Sequence, residues 1–423
     1  MLVYAYNKVM QDSSRYAVGI DVGTTTVRCV VGHIDATTGT PTIVGVGEVK
    51  NNGMRKGTVV NLNGVAPIID QALNEAERMS GHEVHAASVS INGSHILSTS
   101  TDGMVAVGAA GHEVTDEDTA RLEDVATTGK VPPNREVLEV VSHSYSLDGQ
   151  DNIKNPIGMI GTRLEVNANV VSAMAPQYNS LTNVFENLNI ATNNIVPSVV
   201  ASSRAVLTEQ QIENGVVVID FGGATTGVAV YEEGDLQYIS VIPVGGNNIT
   251  NDLAIGLKTD PEIAEQVKLT HGSATPLEGS EKVTVKHDKE TFEFARDDVN
   301  DIIDARLEEL FETIVKELKK FKKDIKFPGG VVLVGGGSKL KNIADYAKDS
   351  LGMAVRVGST KGYSGVAEHI NEPQYAAVVG LMLTDVAGPS LAVKDTDSRP
   401  PKQGAPTKKV GGLLKNLISK LRV

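Results

Sequence analysis

Two segments of the chain repeat one pattern, and that repetition limits the fold more than any other feature. Residues 19–28 read Gly-Ile-Asp-Val-Gly-Thr-Thr-Thr-Val-Arg, and residues 218–227 read Val-Ile-Asp-Phe-Gly-Gly-Ala-Thr-Thr-Gly. In each, a β-branched apolar approach meets an Asp, a glycine turn and a threonine cluster, and a second apolar run follows at 29–31 and 228–231. That order predicts a strand, a tight turn and a returning strand. Used twice, it implies two lobes of similar topology facing each other.

The residue types in these hairpins suit one kind of ligand. Glycine lets the backbone come close and adopt positive φ, so successive N–H groups can converge on phosphate oxygens. Threonine hydroxyls add donors. Gly23, Thr24 and Thr25 in one copy and Gly222, Gly223 and Thr225 in the other are therefore candidate phosphate contacts. An Asp at a strand end faces phosphate poorly, but it can hold Mg²⁺ through water because that ion keeps most of its hydration shell. Asp21 and Asp220 would flank one such metal–phosphate group. A single D-x-G reads equally well as an ordinary β-turn; the second copy with matching threonines is what favours the ligand.

A third glycine turn comes later. Residues 330–334 read as a buried strand, Gly335, Gly336, Gly337 and Ser338 as a turn, and residues 339–351, beginning with Lys339, as a helix. Backbone there could approach a base or α-phosphate, with the helix N-terminus favouring an anion. The segment does not match G-x-G-x-x-G. A Walker A loop is absent because the sole Gly-Lys pair, Gly129-Lys130, is followed by Val131. Dehydrogenase and P-loop readings lose ground accordingly.

Composition narrows the partners. At 423 residues the chain exceeds one ordinary core, and 22% charged with 41% hydrophobic residues is a globular balance. A net charge of −13 argues against nucleic acid as a partner. Cys29, without a second cysteine, makes no internal disulfide and sits in an apolar run that predicts a buried thiol. These features place the chain in the cytoplasm. Residues 1–16 lack the basic start and apolar run of a secretory signal, and no segment approaches the roughly 20 apolar residues of a membrane span.

Taken in order, the motifs resemble the actin, Hsp70 and sugar-kinase superfamily: a first phosphate hairpin, a connecting helix at 197–207, a second hairpin, an adenosine turn at 331–343 and a second connecting helix at 373–383. Ala201, Ser202 and Ala205 in one helix, and Ala376, Ala377 and Gly380 in the other, would permit close crossing at a hinge. Within that group the chain resembles the FtsA family of bacterial cell-division proteins. Residues 84–97 are similar to the family's lead-in to its extra subdomain, residues 244–252 (with Gly245 and Gly246) to its loop after the second hairpin, and residues 264–268 to its ribose-side helix. Glu265 and Lys268, three apart, would share a helix face as ligand contacts or as a surface ion pair.

The resemblance implies an α/β, actin-like two-lobed fold of duplicated RNase H-like domains with an FtsA-type inserted subdomain, binding ATP and Mg²⁺. The expected division is a disordered lead at 1–14, subdomain 1A at 15–85 and 169–205, the inserted subdomain 1C at 86–168, 2A at 206–246 and 313–386, 2B at 247–312, a linker at 387–407 and an amphipathic helix at 408–423. Within the insert a polar helix is expected at 116–127. His82, His85, His95, His112 and His143 fall in or near it with spacings that fit no zinc pattern. Residues 297–323 show helical apolar spacing. The resemblance places the C-terminal tail of the tubulin-like protein FtsZ here, with Arg296 or Arg306 pairing to a tail carboxylate.

The end of the chain reads as a membrane contact. Residues 387–407 are rich in Gly and Pro and predict a flexible linker. Beyond it, Leu413, Leu414, Leu417, Ile418 and Leu421 form one helical stripe with Lys415, Lys420 and Arg422 off it, and no acidic residue follows Asp397. An apolar stripe with a basic border suits an anionic membrane surface. One copy would bind reversibly, and a polymer firmly through avidity.

Two departures bear on activity. Residues 197–203 offer no acid or amide to position an attacking water, and Thr26 stands where FtsA-like proteins often carry a lysine. Tight ATP binding with slow hydrolysis is expected, the nucleotide acting as a conformational and polymerisation ligand. The resemblance further implies self-assembly into filaments and contact with later division proteins at the cytoplasmic face of the membrane. A type IV pilus assembly protein of the same broad fold is the main alternative, and a small-molecule kinase the other.

Overall fold

The two repeated hairpins occupy the same place in two five-stranded sheets built to one plan. The computed structural model describes residues 16–108, 111–277, 281–288, 290–321, 327–365 and 369–388. In the first sheet Pro41–Lys50, Thr26–Ile34 and Tyr16–Val22 run antiparallel in that order, and Ala86–Ile91 and then Ala191–Pro197 are added in parallel. In the second, Asp235–Ile242, Thr226–Glu232 and Val216–Phe221 are antiparallel, followed in parallel by Val331–Val334 and Val355–Val357. Order and sense match strand for strand, so the sequence repeat is a repeat of topology.

The central strands read as nearly unbroken apolar runs because both of their faces are covered. Along Val216–Phe221, Val216 and Val218 point into one core while Val217, Ile219 and Phe221 point into another, the alternation a pleated strand imposes. The first of these cores gathers the first sheet and helices Ser198–Val206 and Ala376–Ala387; the second lies under Arg296–Phe321. In Ala376–Ala387 every residue from Ala376 to Met382 is buried. Its Gly380 lies against Ala201 of the other helix, so closely that a Cβ there would sit 1.7 Å from the Ala201 carbonyl oxygen.

Helix Leu62–Ser80 covers the outer face of the first sheet with Val65, Ile69, Ala72, Leu73 and Ala76, the i, i+4, i+7 stripe of an amphipathic helix. Asn61 caps its start by accepting from the Gly64 N–H, and Gly81 ends it in the left-handed region. The last turn of Ala376–Ala387 is pinned to the first sheet. The Asp385 carboxylate accepts from Val18 N, Ser88 Oγ and Asn193 Nδ2, each at 2.9 Å, and Asn194 Nδ2 donates to Gly388 O at 3.2 Å.

The inserted subdomain is a four-stranded sheet in the order Leu97–Ala106, Arg163–Met174, Arg135–Leu147, Gln150–Ile153. Helix Asp116–Thr127, at the span the sequence indicates, packs on it through Leu122 and Ala126 over a core of its own. A capping box between Thr115 and Asp118 starts that helix. Residues 86–91, the start of the segment read as the insert, form a strand of the first sheet, bonded on both edges. The turn that follows at 92–93 is where the chain leaves that sheet.

The third glycine segment differs from its sequence reading. Residues 336–339 form a 3₁₀ turn, Asn342 adopts the left-handed region at φ 61°, and the α-helix spans Ile343–Leu351. The glycines allow the tighter turn, and Lys339 therefore precedes the helix instead of opening it. The lead at 1–14, the linker at 387–407 beyond residue 388, and the helix expected at 408–423 lie outside the described residues.

Candidate functional site

Both hairpins close their turns in the same way. Gly23 N donates to Thr26 O at 3.1 Å and Gly222 N to Thr225 O at 3.0 Å. A Cβ at either glycine would run into that same carbonyl, at 2.6 Å for Gly23 and 2.9 Å for Gly222, so a side chain there would open the turn. The first turn is braced by Asn51, whose Nδ2 donates to Gly23 O at 2.7 Å and whose N–H donates to Thr25 O at 2.9 Å. Thr24 Oγ1 accepts from Gly57 N at 2.9 Å.

The two turns meet tip to tip. A Cβ at Gly223 would lie 2.5 Å from the Thr25 γ-methyl and 2.9 Å from its hydroxyl. The loop after the second hairpin lies on it as well, with Gly246 N donating to Gly222 O at 3.0 Å and Asn247 N to Gly223 O at 2.7 Å. Gly245 precedes helix Gly246–Gly256, whose N-terminus carries the positive end of the helix dipole. Gly335, at φ +82°, comes close enough to Asp220 that a Cβ would be 2.5 Å from its Oδ1. Only glycine accommodates both that conformation and that approach. Gly23, Thr24, Thr25, Gly222, Gly223, Thr225, Gly245, Gly246 and Gly335 are thus in one contiguous place, with Asp21 and Asp220 behind them.

Asp21 is buried, Asp220 is half-buried, and the Asp21 charge reaches Asp220. Burial pushes the Asp21 carboxyl above its ordinary range, against the lowering influence of Ser90 and Arg28. Asp220 is pushed up to about 6, chiefly by burial, with the Asp21 charge adding and Ser202 and Arg28 opposing. Ser202 Oγ donates to Asp220 Oδ2 at 2.9 Å. Two carboxylates in mutual range are stabilised by a divalent cation, and glycine N–H groups with threonine hydroxyls are a donor set for phosphate. The residues fit a Mg²⁺–polyphosphate group. Among the described residues no cluster of three or more His, Cys, Asp or Glu forms a metal site.

Glu265 and Lys268 share a face of helix Pro261–His271 and pair at 2.6 Å. Lys268 Nζ also donates to Gly246 O at 3.2 Å and Thr250 Oγ1 at 2.8 Å, and Thr250 Oγ1 donates to Glu265. The pair is thereby tied to the glycine loop. Gly337 lies against the Phe221 ring, and Ser338 Oγ turns back to Gly335 O at 2.6 Å. Lys339 is drawn away to Glu372 at 2.6 Å. Arg306 forks Asp252 through Nε and Nη2 and also reaches Glu309, while Arg296 opens that long helix. Neither arginine is among the residues gathered at the hairpins.

Four polar residues of the site were not singled out from the sequence as polar contacts. Arg28 lies directly across the strand pair from Asp21, bonds Glu48 at 3.0 Å and stacks on Tyr375 with its guanidinium carbon 5.1 Å from the ring centre. The cation absent at Thr26 is therefore present two residues on, along the same strand face, a pairing the hairpin register discloses. Ser202, read only as a small hinge residue, binds Asp220. Asn51 and Asn92 come from distant segments; Asn92 Nδ2 donates to Thr225 Oγ1 at 3.1 Å. An amide thus stands beside the second hairpin's turn from the end of another strand, already bonded to Thr225.

Comparison with known proteins gives a consistent result. The family model described as "Cell division protein FtsA" matches residues 217–380, and that of the "SHS2 domain inserted in FTSA" matches residues 93–172. Curated relatives named "Cell division protein FtsA" include one from Pseudomonas aeruginosa, 32% identical over 88% of this chain and 89% of that one. One from Bacillus subtilis is 35% identical over 86% and 82%. Among solved structures, a PilM–PilN type IV pilus biogenesis complex has a TM-score of 0.64 at 16% identity, covering 88% of this chain and 98% of that one. MreB 5 of Spiroplasma citri bound to AMPPNP has a TM-score of 0.53 at 12% identity, covering 87% and 95%. At such identities these two matches speak to the fold alone, which is actin-like.

Proposed function

The chain belongs to the FtsA family of cell division proteins, and from that premise we propose that it binds ATP with Mg²⁺ between its lobes, polymerises, and tethers FtsZ filaments to the inner face of the cytoplasmic membrane. The observation that carries the nucleotide reading is the tip-to-tip meeting of two glycine–threonine hairpins over the paired carboxylates Asp21 and Asp220. Gly23, Thr24, Thr25, Gly222, Gly223 and Thr225 would hold the phosphates, Asp21 and Asp220 the hydrated metal, and Glu265, Lys268, Gly335, Gly336, Gly337 and Ser338 the nucleoside side. When bound, Mg²⁺ would neutralise charge on the terminal phosphates. Arg28 stabilises the two carboxylates from behind the first hairpin.

Hydrolysis is expected to be slow, because the connecting helix at 197–203 presents no acid or amide and the Asn92 amide already spans to Thr225. The ligand's role is then to hold two lobes in one geometry, favouring filament contacts through the lobes and insert. Membrane contact rests on the sequence of 408–423, with Leu413, Leu414, Leu417, Ile418 and Leu421 inserting and Lys415, Lys420 and Arg422 facing anionic lipid. No helix among the described residues is long and apolar enough to cross a membrane. FtsZ contact is assigned to the long helix Arg296–Phe321. There the Arg306 guanidinium would have to exchange Asp252 for a tail carboxylate. Recruitment of later division proteins completes the reading.

Co-sedimentation with anionic liposomes, with and without Mg·ATP, tests it by comparing the full chain with one ending at Thr407. Pelleting is expected to require the tail and to rise with Mg·ATP. A full chain that stays in solution under all conditions would sink the tethering reading and favour a soluble adaptor, such as the pilus-type protein whose fold it shares.

A further inference from the structure

We propose that Asn92 is a positioning residue that aims the Thr225 hydroxyl at the terminal phosphate of the nucleotide and links that contact to the root of the inserted subdomain. The proposal rests on the nucleotide reading above and adds to it a residue that discriminates the triphosphate. A hydroxyl has one donor and two acceptor lone pairs. Asn92 Nδ2 donates into a lone pair of Thr225 Oγ1 at 3.1 Å, so the single Thr225 proton is left to point elsewhere. Thr225 is 4% exposed and sits in the turn of the second hairpin, where the phosphates would lie. The Asn92 amide is itself oriented, because Oδ1 accepts from Gly93 N at 2.8 Å.

This hydrogen bond joins the two lobes. Asn92 follows strand Ala86–Ile91 of the first sheet, and Thr225 lies in the turn between two strands of the second. Behind Asn92 a chain of bonds runs into the insert. His95 Nε2 donates to Asn92 O at 3.0 Å, and Arg135, at the start of an insert strand, donates from Nη2 to His95 O. Arg135 also donates to Ser172 Oγ at 2.9 Å and Ser172 O at 2.8 Å, near the end of the strand by which the chain leaves the insert. On the other side Gly93, at φ +122°, packs on Gly57, whose N–H donates to Thr24 Oγ1 of the first hairpin. Residues 92–93 therefore touch the supports of both phosphate turns and connect, through His95 and Arg135, to the strand by which the chain leaves the insert. A ligand that draws the Thr225 hydroxyl toward itself acts on this turn directly.

The test is a double-mutant cycle on the full, nucleotide-stripped chain, measured by calorimetric titration with Mg·ATP and Mg·ADP. Asn92→Ala is expected to weaken ATP binding about 2- to 10-fold, the worth of one neutral hydrogen bond, while ADP changes by less than about 2-fold. Asn92→Asp, which accepts and cannot donate, reverses the Thr225 proton and is expected to lose more ATP affinity than Asn92→Ala. In a Thr225→Val background Asn92→Ala should have no further effect. Hydrogen exchange of residues 97–106 and 163–174 should slow on adding Mg·ATP to the wild type and respond less in Asn92→Ala. Equal losses for ATP and ADP, or full additivity with Thr225→Val, would overturn the role of Asn92 while leaving the nucleotide site standing. Wild-type protein that binds neither nucleotide would overturn the site itself.

Discussion

Replacing Gly380 by alanine adds a single methyl group at the crossing of the two helices that join the lobes. The new Cβ would lie 1.7 Å from the Ala201 carbonyl oxygen and 2.4 Å from its carbonyl carbon, atoms of a helix backbone that cannot rotate aside. Favourable contact begins at roughly 3.5 Å, so the helices must part by about 1.8 Å there, enough to forfeit over half of the local dispersion energy. Overpacking of this kind costs about 1–3 kcal/mol, and this site belongs at the upper end because both sides are backbone. Alanine's better helix propensity returns about 1 kcal/mol, leaving a net loss of about 2 kcal/mol. At about 2–4 °C per kcal/mol for domains of this size, the midpoint should fall by about 4–8 °C in differential scanning fluorimetry without nucleotide. Gly336→Ala is the control, since its Cβ would meet nothing within 4 Å, and it should leave the midpoint unchanged. A Gly380→Ala protein as stable as wild type would refute the reasoning that the crossing is set by backbone contact.

Two further outcomes follow from the electrostatics. Burial raises the Asp220 carboxyl from 3.8 to about 6, so between about pH 4 and 6 the folded state binds a proton that the unfolded chain has released. Stability then falls as pH rises through that window. Denaturation in EDTA across it should show the wild type losing stability relative to Asp220→Asn, and parallel profiles would contradict the assignment. Freeing Arg306 by Asp252→Asn should strengthen binding of an acidic FtsZ C-terminal peptide by fluorescence anisotropy, and Arg306→Ala should weaken it; no change in either would remove Arg306 from that contact.

The sequence made the backbone of the site legible because its elements are local. An Asp, a glycine turn and threonines within one hairpin announce themselves, and their repetition announces two lobes. The helix at 296–321 carries its burial stripe in plain order. What stayed hidden depends on separation. Asn92 and Thr225 are 133 residues apart, and nothing at either position points to the other. Arg28 was within reach, since hairpin register places it opposite Asp21. Lys339 and Arg306 show a second limit. Each is basic and close in sequence to a motif, yet each is drawn to a nearby acid, Glu372 for one and Asp252 for the other. Composition does not reveal which acid will be nearest.

The way helix Ala376–Ala387 ends has a mechanical consequence. Its last turn is held by three donors converging on Asp385, with a fourth bond at Gly388, and all four come from the first sheet or the segments bordering it. A pull applied at residue 388 reaches the Asn194–Gly388 bond first and the three bonds at Asp385 next. Tension arriving from that direction is delivered to the first lobe's sheet as a whole before it can unwind the helix that crosses between the lobes.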